Sequence, residues 1–208
     1  MEHPWEQVRL EDYEAHMSLP VVGQLGELNR IMREQLTDYP ARTALIAGVA
    51  GGNGLEHIAG TPLQTVYGID INAGYLEACR KRYASLEPVL VLKRMDLASG
   101  DASLPITDLV IANLIVEYIG IDPFSRLIGQ ARPAYLSSVI QLNSDGGFVS
   151  ASPYEQAFAG LTGVHRDVAE EEWTAALLRI GYTPILRREH PLPTGKRLMR
   201  LDYRRQEA

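Results

Sequence analysis

The stretch that most constrains this chain is ALIAGVAGGNGLEH, residues 44–57, where a short apolar run meets four glycines and then resumes with helical spacing. Glycine has no Cβ, so such a corner permits positive φ and lets another group approach the backbone closely. A glycine corner between a buried strand and a helix presents its N–H groups to an anion or a polar ligand at the carboxyl edge of a sheet. Relief of crowding between strand and helix is the structural alternative.

Strand-like and helix-like segments alternate on both sides of this corner. Five apolar segments predict strands, namely TALIAG, QTVYGID, PVLVLKRMDL, TDLVIANLIVEYI and AYLSSVIQL. Helical patterns lie between them, in GLEHIAG, NAGYLEACRKRYASL and IDPFSRLIGQARP. A further amphipathic helix is followed by two extended segments joined by PTG, which indicates a hairpin. We therefore expect an α/β fold, a Rossmann-like three-layer sandwich whose seven-stranded sheet is mostly parallel and ends in a C-terminal antiparallel hairpin.

The segment before the first strand has a different character. Residues 1–19 are polar and show no convincing period, whereas apolar residues recur at helical spacing from Leu19 to Leu36, where TDYP ends the pattern. We therefore divide the chain into an N-terminal helical appendage at residues 1–40 and a principal α/β domain at residues 41–208.

Composition narrows the class of protein. The 208 residues carry a formal net charge of −6, which argues against a surface that traps nucleic acid or anionic lipid. Cys79 is the only cysteine, so no intramolecular disulfide or cysteine-based zinc site can form, in keeping with a reducing compartment. We find neither a secretory signal nor a membrane-spanning run, and we expect a cytoplasmic protein.

Polar side chains follow the predicted strands after the corner. Asp70 ends the second strand, where a carboxylate can accept both hydroxyls of a ribose. Asp96 ends the third strand, where it can accept from an adenine amino group while Leu97 packs on the base. Asn113 follows the fourth strand, beside the reactive end of such a ligand. A single acid at a strand end usually caps a turn, but an ordered set favours a nucleoside site.

With this ordered set, the chain resembles the class I methyltransferases that use S-adenosyl-L-methionine. The first motif of that family commonly reads acid-x-Gly-x-Gly-x-Gly, and the matching stretch here is IAGVAGG. Ile46 stands at the acidic position, and Gly48, Ala50 and Gly52 stand at the glycine positions. The resemblance covers roughly residues 41–204, including the terminal hairpin that is typical of the fold.

The resemblance implies S-adenosyl-L-methionine as the cofactor and assigns residues to it. Ile46 cannot supply the acid of the first motif, and alanine at position 50 is a tolerable substitute for glycine where φ stays negative. In related enzymes, the segment before the first strand folds over the cofactor as a lid, which brings the N-terminal helices to the site. The expected cofactor-binding residues are Tyr13, Gly48, Ala50, Gly52, Asn53, Asp70, Ile71, Asp96, Leu97 and Asn113.

The turn after the fourth strand faces the transferred methyl group in this family. Asn113, Glu117 and Tyr118 are therefore candidate catalytic residues, with Glu117 orienting an amine or acting as a base. A solvated or capping carboxylate is the structural alternative for Glu117. His16 in the lid is a candidate general base, because the pKa of histidine lies near working pH. The other four histidines show no metal-ligand spacing, so we expect no metal and treat them as structural.

Three other functions remain open. A nicotinamide-dependent oxidoreductase shares the corner and the acid, but its Gly-x-Gly-x-x-Gly frame would place His57 where a small residue must pack. A noncatalytic module that binds S-adenosyl-L-methionine is compatible with Ile46. An RNA methyltransferase would use the seven basic residues of the terminal hairpin, although such charges also protect a sheet edge from pairing.

Few sequence features indicate which molecule accepts the methyl group. Methyltransferases that modify adenine or glutamine usually carry an Asn/Asp-Pro-Pro-Tyr run after the fourth strand, and this chain has ANLIVEY there. Together with the acidic net charge, this absence favours a small-molecule acceptor over DNA. We expect no membrane partner, and the oligomeric state stays open.

Overall fold

The computed structural model describes residues 3–143 and 147–206. Within these ranges, seven strands form one sheet in the order β3-β2-β1-β4-β5-β7-β6. The strands are β1 Thr43–Ala47, β2 Thr65–Asp70, β3 Leu90–Arg94, β4 Leu109–Asn113, β5 Tyr135–Leu142, β6 Tyr182–Pro191 and β7 Arg197–Arg205. The first five strands are parallel, and β7 is antiparallel to both β5 and β6. The predicted seven-stranded, mostly parallel sheet with its terminal hairpin is therefore confirmed.

Helices cover both faces of the sheet because the apolar side chains of the strands alternate. Leu45 and Ala47 of β1 pack into a core with the helices on one side, while Ala44 and Ile46 pack into a second core with the helices on the other. The helices are α1 Pro4–Gln7, α2 Leu10–Ser18, α3 Gln24–Thr37, α4 Ala73–Arg82, α5 Val116–Ile119, α6 Ile121–Ala131 and α7 Glu170–Arg179. No helix within the described residues is both long enough and apolar enough to cross a membrane.

The N-terminal segment is more ordered than its sequence pattern indicates. Helix α3 falls within the predicted helical stretch, but residues 4–7 and 10–18 are also helical where the sequence shows no convincing period. The only buried residues of α2 are His16 and Met17, so the helix shows no apolar stripe. It packs against α3 and the loop after β5, and Met17 joins a small core with Val139 of β5 and Leu198 of β7.

The glycine corner folds differently from the expected strand-to-helix turn. A single 3₁₀ turn, Leu55–Ile58, replaces the predicted helix. Gly52 has φ +89°, and a Cβ there would lie 2.6 Å from Cε2 of Tyr83 and 2.9 Å from Sγ of Cys79. Position 52 must therefore be glycine, because α4 and Tyr83, the residue after α4, pack closely against it.

A buried ion network joins the terminal hairpin to α3. The Arg200 side chain has no exposed surface and pairs with Asp202 at 2.6 Å, Asp38 at 2.8 Å and Glu34 at 3.0 Å. Arg188 also pairs with Glu34, at 2.7 Å. Much of the basic charge predicted for the hairpin is therefore neutralised by acids of the same chain.

Candidate active site

A deep cleft follows the carboxyl ends of the parallel strands. It encloses about 1140 Å³ including its open mouth. Residues at the ends of β1 to β5 line it, and neighbouring strands lie about 4.8 Å apart, so the cleft runs for about 19 Å from β3 to β5. Of the predicted site residues it contains Tyr13, His16, Gly48, Ala50, Asp70, Ile71, Asp96, Leu97, Asn113, Glu117 and Tyr118.

The glycine corner and the end of β2 are held together by their own hydrogen bonds. The N–H groups of Gly48 and Val49 both donate to the Ile69 carbonyl, at 2.8 and 3.0 Å. The N–H of Ala50 donates to Oδ2 of Asp70 at 2.9 Å. These three N–H groups therefore do not face a ligand, contrary to the expectation from sequence. What the corner offers the cleft is close approach to its backbone at Gly48 and Ala50.

Ala50 adopts a costly backbone conformation in this arrangement. Its φ is +47°, in the left-handed region. Alanine substitutes easily for glycine where φ is negative, and that condition is not met here. The left-handed region costs roughly 1–2 kcal/mol for a residue with a Cβ. The bond from Ala50 to Asp70 is one of the contacts that hold this conformation.

Asp70 is nearly buried, with 9% of its surface exposed. Burial raises the pKa of its carboxyl group, and backbone N–H donors, including those of Asn72 and Ala50, oppose the rise. Oδ1 accepts from the Asn72 N–H at 2.9 Å, and the Ile71 N–H is a third backbone donor to this carboxylate. A carboxylate has about four lone-pair sites, which leaves acceptor capacity for a ligand hydroxyl.

The end of β3 forms the next part of the cleft. Leu97 is buried and Ile71 is half-buried, and both line the cleft. Asp96 is exposed, and its Oδ1 accepts from the Ala98 N–H at 2.9 Å. An apolar wall beside an exposed carboxylate is suited to a flat base that carries an amino group.

Aromatic side chains of the N-terminal helices roof this part of the cleft. Trp5 of α1 lies edge-on to Tyr13 of α2 at 5.9 Å and to Tyr118 at 5.0 Å between ring centroids. Tyr13 stacks on Tyr75 of α4 at 6.3 Å. Nε1 of Trp5 and the Tyr75 hydroxyl are both buried without a hydrogen-bond partner within the described residues. Both residues line the cleft, where a ligand can supply those partners.

Polar contacts clasp the roof to the domain. Arg82 donates to both carboxylate oxygens of Glu14, at 2.7 and 3.0 Å, and to the Gly51 carbonyl at 3.0 Å. Asn72, which caps α4, also donates through Nδ2 to the Trp5 carbonyl at 2.9 Å. The roof is thus held by groups next to the glycine corner and next to Asp70.

Glu117 lies at the base of the cleft, beyond the end of β4. The chain turns after β4, where Leu114 has φ +53°, and α5 begins two residues later at Val116. Glu117 is only 2% exposed, which contradicts the alternative of a solvated carboxylate. Its Oε1 accepts from the Gln141 N–H at 2.9 Å, and its Oε2 is buried without a partner among the described residues. Burial raises the pKa of Glu117 to about 7.

His16 and an aromatic wall close the far end of the cleft. Nδ1 of His16 is 2.7 Å from Oγ of Ser152, and the His16 ring lies 4.9 Å from the Phe158 ring. Burial and the nearby charge of Lys196 lower the pKa of His16, so the ring is mainly neutral at pH 7. In the tautomer whose Nδ1–H donates to Oγ of Ser152, Nε2 of the neutral imidazole can accept a proton.

Three of the predicted site residues make packing contacts or hydrogen bonds within the protein. Asn113 lines the cleft, but Gln35 of α3 bonds both ends of its side-chain amide, at 2.8 and 2.9 Å. Gly52 and Asn53 are absent from the described lining of the cleft. Asn53 donates to the Leu25 carbonyl at 2.9 Å, and its Oδ1 accepts from Nδ2 of Asn29 at 3.0 Å. These two residues of the corner thus pack the domain together.

Other lining residues carry no sequence signal that identifies them. Phe148 and His165 stack at 4.1 Å with an interplanar angle of 13°, and Tyr118 meets His165 edge-on at 5.4 Å. The sequence pattern treats His165 as structural, like His3, yet both line the cleft. The remaining unpredicted polar or aromatic residues of the lining are Trp5, Gln24, Tyr75, Gln141 and Phe158.

The charge of the cleft is one-sided. Three carboxyl groups line it, those of Asp70, Asp96 and Glu117, and its described lining contains no lysine or arginine. Lys196 lies near enough to lower the pKa of both His16 and His165 without forming part of the lining. Across residues 3–143 and 147–206, no group of three or more His, Cys, Asp or Glu side chains could hold a metal ion.

Comparisons with known proteins find similarity in structure only. No protein-family model matches the chain, and no curated protein matches its sequence. Among solved structures, the N-methyltransferase NodS from Bradyrhizobium japonicum WM9, in complex with S-adenosyl-L-homocysteine, superposes with a TM-score of 0.68 at 14% identity, covering 98% of this chain and 97% of NodS. Geranyl diphosphate methyltransferase gives 0.66 at 12% identity, with coverage of 89% and 81%.

A third solved structure has a different activity. The cyclase SpnF gives a TM-score of 0.64 at 12% identity, with coverage of 88% of this chain and 82% of SpnF. The fold of this chain is thus one that proteins with methyltransferase names and a cyclase share. The fold therefore does not identify the reaction, which has to be inferred from the residues of the cleft.

Proposed function

We propose that this chain, which has the fold of the class I S-adenosylmethionine-dependent methyltransferases, transfers a methyl group from S-adenosyl-L-methionine to a small-molecule acceptor. The observation that carries the proposal is the charge of the cleft, which has three carboxyl groups and no lysine or arginine in its described lining. S-adenosyl-L-methionine carries a sulfonium and an ammonium group, so an acidic cleft attracts it.

The residues present fit this cofactor. Asp70 has acceptor capacity left for a ribose hydroxyl, and Asp96 with Leu97 suits an adenine ring. The N–H of Trp5 and the hydroxyl of Tyr75 are buried polar groups that need partners, which a nucleoside or an amino-acid group supplies. Ile46 is 2% exposed and belongs to the core, so it takes no part in the proposed contacts.

The chain's share in the reaction is positioning, exclusion of water and proton transfer. The bound cofactor supplies a methyl group that is already activated on sulfur, so no metal or covalent nucleophile is required. Trp5, Tyr13 and Tyr118 roof the cleft and exclude water from it. Glu117 and His16 lie beyond the proposed cofactor contacts, where either can accept a proton from the acceptor.

The other candidate functions have weaker support. A dinucleotide needs free N–H groups at a helix N-terminus for its pyrophosphate. Here the N–H groups of Gly48, Val49 and Ala50 are bonded within the corner, and only a four-residue 3₁₀ turn follows. An RNA substrate would need free basic groups, and Arg188 and Arg200 of the hairpin are paired with acids. A noncatalytic binding module shares the proposed cofactor contacts and differs only in lacking turnover.

Calorimetry with S-adenosyl-L-homocysteine tests the proposal. We expect the folded wild-type chain to bind it, and Asp70→Ala to weaken binding by roughly 1–3 kcal/mol, about 5- to 150-fold, because hydrogen bonds to a charged group are lost. Asp101→Ala is the matched control, since Asp101 is exposed and does not line the cleft. Circular dichroism checks that each variant is folded. Absence of heat with folded wild-type protein, for both donor and demethylated product, would refute the proposed function.

A further inference from the structure

The cleft continues past the residues assigned to the cofactor. The proposed cofactor contacts lie at the ends of β1, β2 and β3, whereas a second part of the cleft lies beyond β4. This part is bounded by α2, by α5 and by the loop after β5. Its chemistry is set by His16, Glu117, Tyr118, Phe148, Phe158 and His165. We call it the distal subsite.

The floor of the distal subsite holds an incomplete hydrogen-bond arrangement. Glu117 is 2% exposed, and the Gln141 N–H holds its Oε1 in place at 2.9 Å. Oε2 is buried without a partner within the described residues. Buried polar groups in folded proteins are almost always hydrogen-bonded, so each exception calls for an explanation. A ligand with an O–H or N–H group would complete this one.

The walls of the distal subsite are flat and apolar. Phe148 and His165 are stacked nearly parallel, Tyr118 lies edge-on to His165, and Phe158 lies against His16. Burial lowers the pKa of both histidines, so their rings are mainly neutral at pH 7. Aromatic rings prefer stacked or edge-on contacts with other rings. These walls favour a planar ring over a flexible chain.

The charges of the distal subsite exclude one class of acceptor. Its described lining has no lysine or arginine, and Glu117 contributes the carboxyl group. Asp167 lies near enough to raise the pKa of Glu117 further. Above about pH 7, where Glu117 is ionised, a carboxylate or phosphate placed beside it would meet like charge, whereas a neutral donor would be accepted. Lys196 is a cation near His16 and His165 but does not line the cleft, so it does not offset Glu117 at its carboxyl group.

We propose that the acceptor is a small aromatic molecule carrying a hydroxyl or an N–H group, which donates a hydrogen bond to Oε2 of Glu117 while its ring packs against Phe148, His165 and Tyr118. This inference rests on the proposed function. In the transfer, a lone pair on the acceptor's oxygen or nitrogen forms the bond to the methyl carbon as the carbon–sulfur bond breaks. The electron pair of that bond stays on sulfur, and the acceptor's proton passes to Oε2 of Glu117.

Four naphthalene probes test this inference on the full chain saturated with S-adenosyl-L-homocysteine. They are 2-naphthol, 2-naphthylamine, 2-methylnaphthalene and 2-naphthoate, and ligand-observed NMR measures their binding at pH 8, where Glu117 is ionised. We expect 2-naphthol or 2-naphthylamine to bind at least tenfold more tightly than 2-methylnaphthalene, and 2-naphthoate to bind more weakly than all three. Which of the two donors binds more tightly distinguishes a hydroxyl acceptor from an N–H acceptor.

Glu117→Gln tests the residue assignment. The amide keeps the size of the side chain but removes its charge, so we expect the preference for the donors to fall below threefold and 2-naphthoate to gain affinity. Glu189→Gln, an exposed glutamate paired with Arg197 at 3.2 Å, is the matched control and should keep the wild-type order.

The outcomes separate the two proposals. If S-adenosyl-L-homocysteine binds but all four probes bind equally or none binds, the inference about the acceptor is overturned and the proposed function stands. The inference is likewise overturned if 2-naphthoate binds most tightly. If S-adenosyl-L-homocysteine itself does not bind, the proposed function fails first. The wild-type measurement alone decides these cases, so the inference stays testable even if Glu117→Gln does not fold.

Discussion

Burial of Glu117 makes the stability of the fold depend on pH in an unusual direction. The carboxyl pKa rises from 4.5 to about 7, chiefly because burial penalises the charged form, with Asp167 adding to the rise and the Gln141 N–H opposing it. Between these two pH values the folded chain keeps a proton that the unfolded chain has released. The free energy of unfolding therefore falls as pH rises from 4.5 through 7. At about 1.36 kcal/mol per pH unit, the loss is about 3 kcal/mol.

Glu117→Gln isolates this contribution because glutamine does not titrate. We expect the variant to gain about 3 kcal/mol relative to wild type between pH 4.5 and 7.5, measured as the difference between urea-unfolding free energies at several pH values. All other titrating groups cancel in that difference. Glu189→Gln should give a nearly flat difference, because its side chain lies at the surface. If the Glu117→Gln difference is also flat, the carboxyl ionises near its ordinary pKa and the argument from burial is wrong.

Two further predictions concern the corner and the roof. Gly52→Ala should destabilise the fold by roughly 2–4 kcal/mol in urea unfolding, because a Cβ there combines a left-handed φ with a 2.6 Å approach to Tyr83. Gly100→Ala meets open space and should change stability by less than about 0.5 kcal/mol. Arg82→Gln removes the clasp to Glu14 and should speed dissociation of S-adenosyl-L-homocysteine severalfold in stopped-flow measurements, while unfolding changes by less than about 1 kcal/mol. Arg80→Gln, which breaks an exposed pair within α4, should leave the dissociation rate unchanged.

The fold could be predicted from the sequence where apolar periodicity and turn residues agree. The strand TALIA and its neighbours are buried on both faces, and β1 alternates between two cores, so a continuous apolar run identifies it. The N-terminal appendage was predicted to be helical, but the bounds of α1 and α2 could not be predicted, because no apolar period marks them. An apolar stripe is therefore not needed for α2, in which only His16 and Met17 are buried.

Some residues of the candidate site could also be predicted from the sequence, and others could not. The rule that parallel strands end at one edge brought Asp70, Asp96 and Asn113 to the lining of the cleft. The resemblance assigned Gly52 and Asn53 to the cofactor, and the structure places them outside the lining of the cleft, because a glycine needed for packing looks the same in sequence as one that admits a ligand. It also gave no account of Asn113, whose amide is committed to Gln35 of α3.

Residues outside the strands decide what the distal subsite can accept. Phe148 and His165 lie in the loop after β5, where no periodicity marks a side chain as buried. Tyr118 links this wall to the roof, because its ring meets Trp5 at 5.0 Å on one side and His165 at 5.4 Å on the other. If the loop rearranges and moves His165, the Tyr118 ring transmits the movement to Trp5 of the roof. Asp70 and the backbone of the corner are held by their own hydrogen bonds. The strands thus fix the end of the cleft that we propose for the nucleoside, and the loop supplies walls of the part that we propose for the acceptor.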